Sequence, residues 1–167
     1  VGMVYFLICR FLSLKIVLTI SDDEKRKVSD FKFRYDMYIK FNKLLEKYKI
    51  EGKSILELGS GTGIHATELA EKGYFVQGIE RSQQMLLRSK MHARYKALHG
   101  DIRDISLDRK FDAVISLFHV ISYQITNEDL DLVFENVWKH LNKGGLFLFD
   151  FWYSPAVFNL KPCLLYT

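Results

Sequence analysis

Cysteine is nearly absent: Cys9 and Cys163 are the only two thiols in 167 residues. Two thiols so far apart make neither a metal-ligand cluster nor a disulfide framework, so no metal site is expected and a reducing cytoplasm is the expected compartment. A strong charge of one sign is also missing. The 24 basic residues exceed the 20 acidic ones only slightly, for a net charge of +4. A nucleic-acid binder concentrates far more positive charge on one face, so no nucleic-acid partner is expected. Much of the excess lies between Asp22 and Lys49 and reads as the solvated side of an amphipathic helix. An uninterrupted hydrophobic run is lacking too. Met3 to Ile20 is apolar except for Arg10, Ser13, Lys15 and Thr19, whereas a spanning helix needs about twenty predominantly apolar residues. The two cations argue against a membrane span, leaving an N-terminal anchor as the weaker alternative. The basic leader and small-residue cleavage site of a signal peptide are absent. Residues 1–21 therefore read as a core-packing or non-native segment, ahead of one domain over 22–167. The chain shows no internal repeat and no low-complexity linker.

What is present, from Lys53 onward, is an alternation of short apolar runs with helical patterns, which implies βαβ units and a parallel sheet. Strands are expected at Ser54 to Leu58, Phe75 to Ile79, Lys96 to His99, Phe111 to Leu117 and Leu146 to Phe151. A helix is expected from Ile64 to about Lys72, with Gly73 just beyond its end. Ser82 is placed to cap a helix carrying Met85, Leu86 and Met91. Thr126 or Asn127 caps the clearest helix, whose Leu130, Val133, Phe134, Val137 and Leu141 share one face and which Gly144-Gly145 should end. Upstream, Phe31 to Tyr48 reads as a helix covering the sheet or its site. The expected fold class is α/β, a Rossmann-like doubly wound parallel sheet with flanking helices.

The chemistry centres on Glu57-Leu58-Gly59-Ser60-Gly61-Thr62-Gly63, between an apolar strand and a helix. Glycines permit the tight turn and let a ligand approach the backbone, and such a turn can offer amides to an anionic group. Dinucleotide binding wants G-x-G-x-x-G, but the third glycine's place is taken by Ile64. No Gly-Lys-Ser/Thr follows, so a P-loop is absent as well. The spacing points away from a pyrophosphate and toward a smaller ligand. Glu80, at the end of the second strand and about twenty residues past the glycines, can accept hydrogen bonds from both ribose hydroxyls. The alternative is a surface charge paired with Arg81. Asp101, ending the third strand, stands where a carboxylate can meet an adenine amino group, or where it simply forms a turn.

Ile55 to Leu86 resembles the first two motifs of class I S-adenosylmethionine-dependent methyltransferases. Gly100-Asp101-Ile102-Arg103-Asp104, Phe111-Asp112-Ala113-Val114-Ile115-Ser116 and Leu141-Asn142-Lys143-Gly144-Gly145-Leu146-Phe147 resemble the later ones, in the expected order. The resemblance implies S-adenosylmethionine as cofactor. Gly59, Ser60, Gly61 and Gly63 would serve its amino-acid end, Glu80 its ribose, and Asp101 and Ile102 its adenine, with Glu57 and Arg81 also among the cofactor-binding residues. Leu117, Phe118 and His119 would line its inner side. Tyr35-Asp36-Met37-Tyr38 resembles a segment that closes over the cofactor, placing Tyr35 in the site. His119 is the candidate base for an amine or hydroxyl acceptor, with a lining role as the alternative. Tyr123 and Tyr153 are candidates for the acceptor pocket. Phe118 to Tyr123 and Asp150 to Pro155 look similar to bacterial small-molecule methyltransferases, including amino-sugar N-methyltransferases, which implies a small polar acceptor. A non-catalytic S-adenosylmethionine-binding domain and a dehydrogenase are the competing readings, the latter opposed by Ile64.

Family members continue past the fifth strand into an antiparallel hairpin, for which no sequence remains here. The expectation is therefore a fragment whose Leu146 to Phe151 strand is an unpaired apolar edge, with dimerisation through that edge. The competing expectation lets Val4 to Ile8 and Ile16 to Ile20 occupy the edge.

Overall fold

The computed structural model describes residues 15–20 and 30–151, with side chains from 38 to 151. Six strands, β1 (Lys15–Ile20), β2 (Ser54–Leu58), β3 (Phe75–Glu80), β4 (Tyr95–His99), β5 (Phe111–Ser116) and β6 (Leu141–Phe151), form one sheet in the order β1-β6-β5-β2-β3-β4. Every pairing between them is parallel. Four α-helices accompany them: α1 (Asp30–Lys47), α2 (Ile64–Glu71), α3 (Gln83–Leu87) and α4 (Asn127–His140). This is the Rossmann-like, doubly wound fold expected from the apolar alternation.

Side chains of a strand alternate between faces, and the core divides accordingly. Ile55, Ala113, Ile115, Leu146 and Leu148 pack with Phe41 and Leu45 of α1 and with Ala66, Leu69 and Ala70 of α2. Leu56, Leu58, Val114, Phe147 and Phe149 pack with Val133 and Val137 of α4 on the other face. Burial on both sides explains why these strands read as continuous apolar runs. At the foot of the sheet, Asp112 accepts from the amide and hydroxyl of Ser54 and from the Asn142 amide nitrogen, joining β2, β5 and β6.

Local signals account for three of the helix ends. The Ser82 hydroxyl accepts the Met85 amide at 3.3 Å and the Thr126 hydroxyl accepts the Asp129 amide at 3.1 Å. Gly73 follows α2 with φ +97°, as a helix-ending glycine does. Two expectations fail. Met91 is not carried by α3, which stops at Leu87, and its side chain is 97% exposed. After α3 the chain turns back, and the Lys90 amide bonds to the Thr62 carbonyl. Gly144-Gly145 does not end α4 either. The helix gives way directly to β6 at Leu141, and Asn142 to Gly145 form an irregularity between the Phe111–Leu141 and Ala113–Leu146 pairs.

The edge of β6 is not bare. β1 pairs along it from Lys15–Leu146 to Ile20–Phe151, which corrects the expected unpaired edge and removes the basis for dimerisation through it. The β-branched run of Lys15-Ile16-Val17-Leu18-Thr19-Ile20 suits a strand, and its pairing satisfies the β6 backbone. The described sheet contains no antiparallel strand. Val4 to Ile8, Trp152 and Tyr153 lie outside the described residues. Among the described residues no helix is long and apolar enough to cross a membrane.

Candidate functional site

The winding reverses between β2 and β5, which are neighbours in the sheet although β3 and β4 intervene in sequence. A crevice at the carboxyl ends of the strands, at such a reversal, is where open α/β sheets bind ligands. The turn after β2, the end of β3, the loop after β4 and the bend after β5 all arrive there.

Gly59, Gly61 and Gly63 all adopt left-handed φ angles, +71°, +56° and +73°. Their surroundings differ. A Cβ on Gly63 would lie 2.4 Å from the Tyr95 ring and one on Gly59 would lie 2.6 Å from Val120, whereas one on Gly61 would meet nothing within 4 Å. Gly59 and Gly63 therefore permit close packing, and Gly61 leaves open space. The amides serve the turn itself: Gly59 and Ser60 donate to the Ile79 carbonyl, and Gly63 donates to that of Ser60. These three amides are taken up by carbonyls, whereas the Gly61 amide goes to an anionic group, the Glu80 carboxylate.

Glu80 holds the turn from the next strand. Its Oε2 accepts the Gly61 amide at 2.8 Å and its Oε1 accepts the Ser82 amide at 2.7 Å. Each carboxylate oxygen has two lone pairs, so capacity remains for two hydroxyls. Glu80 is thus more than a surface charge, and Arg81 turns elsewhere, its guanidinium 3.8 Å from Asp101.

Beside Glu80 lies a pocket of about 390 Å³, lined by Gly59, Glu80, Arg81, Asp101, Ile102, Arg103, Val120, Tyr123, Gln124 and Asp129. Asp101 is gripped by Arg103, whose Nε lies 3.0 Å from Oδ1 and Nη2 2.7 Å from Oδ2. The other arm of Arg103 reaches Asp129 of α4 at 2.6 Å. The Arg103 hydrogen bonds hold the Asp101 carboxyl below its usual range. The loop is pinned further by Asn136, which donates to the Ile102 carbonyl at 2.9 Å, and by His140, which accepts the Leu107 amide at 2.9 Å. Tyr123 lies at this pocket, on the side of Glu80 and Asp101.

On β2 just before the turn, Glu57 is only 2% exposed and its Oε2 has no hydrogen-bond partner. Burial pushes its carboxyl up to about 8, against the Ala66 amide, which lowers it, and with a smaller upward push from Glu80. A buried carboxyl with an unmatched oxygen is set to receive a donor or cation. Nearby, Leu117 is buried and leads into Phe118 and His119, both left-handed. The Phe118 ring packs on His65 with centroids 5.0 Å apart. Asp150 of β6 accepts both the Phe118 and the His119 amide.

Glu57, Gly59, Ser60, Gly61, Gly63, Glu80, Arg81, Asp101, Ile102, Leu117, Phe118 and His119 thus converge on one end of the sheet. Tyr35 falls within α1, but its side chain lies outside the described residues, as does Tyr153. Sequence reasoning gave no role to Arg103 or Asp150. A lone carboxylate within Leu146-Phe147-Leu148-Phe149-Asp150-Phe151 was the available signal, because burying an acid in an apolar strand demands a partner.

A family model for a methyltransferase domain matches residues 55–145. Among curated relatives, a dTDP-3-amino-3,4,6-trideoxy-alpha-D-glucopyranose N,N-dimethyltransferase from Streptomyces venezuelae is 34% identical over 109 residues, 65% of this chain and 46% of that protein. A dTDP-3-amino-3,6-dideoxy-alpha-D-glucopyranose N,N-dimethyltransferase from Streptomyces fradiae is 32% identical over 70% of this chain and 46% of its own length. The chain spans about half the length of these relatives. The solved sugar N-methyltransferase KedS8 from Streptoalloteichus superposes with a TM-score of 0.63 at 30% identity, over 68% of this chain and 46% of that one. The amino pentose methyltransferase CalS10 from Micromonospora echinaspora, at 23% identity and a TM-score of 0.67 over 78% of this chain and 54% of that one, is alike in fold.

Proposed function

This chain belongs to the methyltransferase domain family, and from that premise we propose that it methylates the amine of a small polar acceptor, an amino sugar carried on a nucleotide, using S-adenosylmethionine. The observation that carries the proposal is Glu80, anchored by the Gly61 and Ser82 amides at the mouth of the pocket. The residues present fit the cofactor. Gly61 leaves cleared space, Glu57 holds a buried acceptor for an ammonium group, and Glu80 retains capacity for two ribose hydroxyls. Asp101, Ile102 and Arg103 form the wall for the base.

Bound there, S-adenosylmethionine supplies a methyl group already activated by its sulfonium, leaving as S-adenosylhomocysteine once an amine has taken that methyl. The chain's own work is alignment and exclusion of water. Glu57 and Glu80 fix the two ends of the cofactor across the glycine turn. Phe118, packed on His65, walls the inner side. His119 receives the proton that the methylated ammonium sheds, which returns the product amine to its neutral form. The low cysteine content supports a cytoplasmic setting for this reaction. The amine reading draws on the amino-sugar methyltransferases among the relatives.

Calorimetry with S-adenosylhomocysteine tests the cofactor, with NAD as the control; binding of NAD alone would overturn the reading. Transfer of labelled methyl to dTDP-linked 3-amino sugars, with glycine and simple phenols as comparisons, tests the acceptor. Labelling of the amino sugars is expected, and labelling confined to the other compounds would displace them.

A further inference from the structure

Phe118 and His119 have φ angles of +62° and +60°, and neither is glycine. Two successive left-handed residues make a tight bend, and both of its amides reach one carboxylate. Asp150 accepts them: Oδ2 takes the Phe118 amide at 3.2 Å and Oδ1 takes the His119 amide at 2.8 Å. The same Oδ2 stands 3.9 Å from Nδ1 of His119. Asp150 comes from β6, where Ser116 pairs with Phe149, so the carboxylate lies directly beside the end of β5. It is 7% exposed, and burial raises its carboxyl above the ordinary range, against the pull of its contacts with His119 and Phe118.

Glycine would make this bend at no steric cost. The chain instead places an aromatic ring and an imidazole there, in a conformation that persists only when its surroundings enforce it. The enforcing group is a carboxylate held in from the neighbouring strand. The two side chains go different ways from the bend: the Phe118 ring packs on His65 at the start of α2, and the His119 imidazole stands beside Asp150.

We propose that Asp150 is a positioning residue of the methyl-transfer site, whose carboxylate holds the Phe118–His119 bend and so fixes where the His119 imidazole stands. The proposal rests on the methyltransferase reading above for the role of His119, but the bend itself does not. Asp150 touches no reacting atom. It acts through the bend, and it orients an imidazole that takes up the acceptor's proton.

The test uses the whole chain with Asp150→Asn, which keeps shape and one acceptor oxygen, and Asp150→Ala, which keeps neither. Amide exchange read by NMR should be at least about tenfold faster at Phe118 and His119 in Asp150→Ala, with Gly59 and Ser60 unchanged. In both variants, S-adenosylhomocysteine affinity should stay within about threefold of wild type while kcat for the amino-sugar acceptor falls by about tenfold or more. Unchanged exchange at the two amides would overturn the proposal. So would a parallel loss of affinity, turnover and melting temperature, which would make Asp150 a core residue only. A wild type that fails to bind S-adenosylhomocysteine, or that methylates none of the amino sugars, would sink the functional reading instead, and the exchange measurement would still decide whether Asp150 holds the bend.

Discussion

The Glu80 carboxylate accepts the amide of Gly61 at 2.8 Å, so the acid at the end of β3 holds the turn that leaves β2. One residue shapes the glycine turn and presents oxygens to the neighbouring pocket. Replacing Glu80 with Ala should weaken S-adenosylhomocysteine binding by about 1–3 kcal/mol, the range for losing a charged hydrogen-bond partner. Isothermal calorimetry measures it, and an unchanged affinity would leave Glu80 with no part in the site.

Gly61→Ala and Gly63→Ala should separate binding from stability. Both positions are left-handed, so each substitution carries a backbone cost of about 1–3 kcal/mol. At Gly63 the new methyl also strikes the buried Tyr95 ring, which adds about 1–3 kcal/mol of overpacking. At Gly61 the methyl enters open space, the space assigned to the cofactor. Gly63→Ala should therefore show the lower denaturation midpoint and Gly61→Ala the larger loss of S-adenosylhomocysteine affinity. The reverse order would place the ligand elsewhere.

Glu57 should leave a pH signature on stability. Its folded carboxyl lies near 8 against an ordinary 4.5, so between those values the folded chain keeps a proton that the unfolded chain has released. Stability from this group is full below the ordinary value and is lost as pH rises toward 8. Glu57→Gln lacks this dependence. Urea unfolding at pH 5 and pH 8 should show the variant gaining on wild type by up to a few kcal/mol, roughly, at the higher pH. Parallel pH profiles would mean that Glu57 is ionised in the fold.

A chain beginning at Asp22 lacks β1 and uncovers the β6 edge, whose Leu146 to Phe149 run is apolar and buried. Unpaired apolar edges associate. Light scattering should find the shortened chain larger than the full one at equal concentration. A shortened chain that stays monomeric and equally stable would show β1 to be dispensable.

Much of this molecule could be read in one dimension. Five core strands follow from apolar runs, two helix starts from Ser82 and Thr126, and the cofactor end of the sheet from the glycine turn with Glu80 one strand later. Those signals are local: a cap, an alternation or a left-handed turn is written within a few residues and needs no knowledge of distant neighbours. The extent of α3 and the start of β6 are not legible in this way, because they depend on where the chain goes next. Lys90 returns to Thr62, and Leu141 is drawn into pairing with Phe111.

By itself, then, the sequence determined the doubly wound class, the order of the core strands along the chain and the end of the sheet where the crevice lies. Only the tertiary structure decided which groups face one another across long separations. It put β1 on β6, Arg103 between Asp101 and Asp129, and Asp150 under two left-handed amides. Pairings of this kind depend on packing, desolvation and hydrogen-bond geometry between elements, and spacing along the chain carries no record of them.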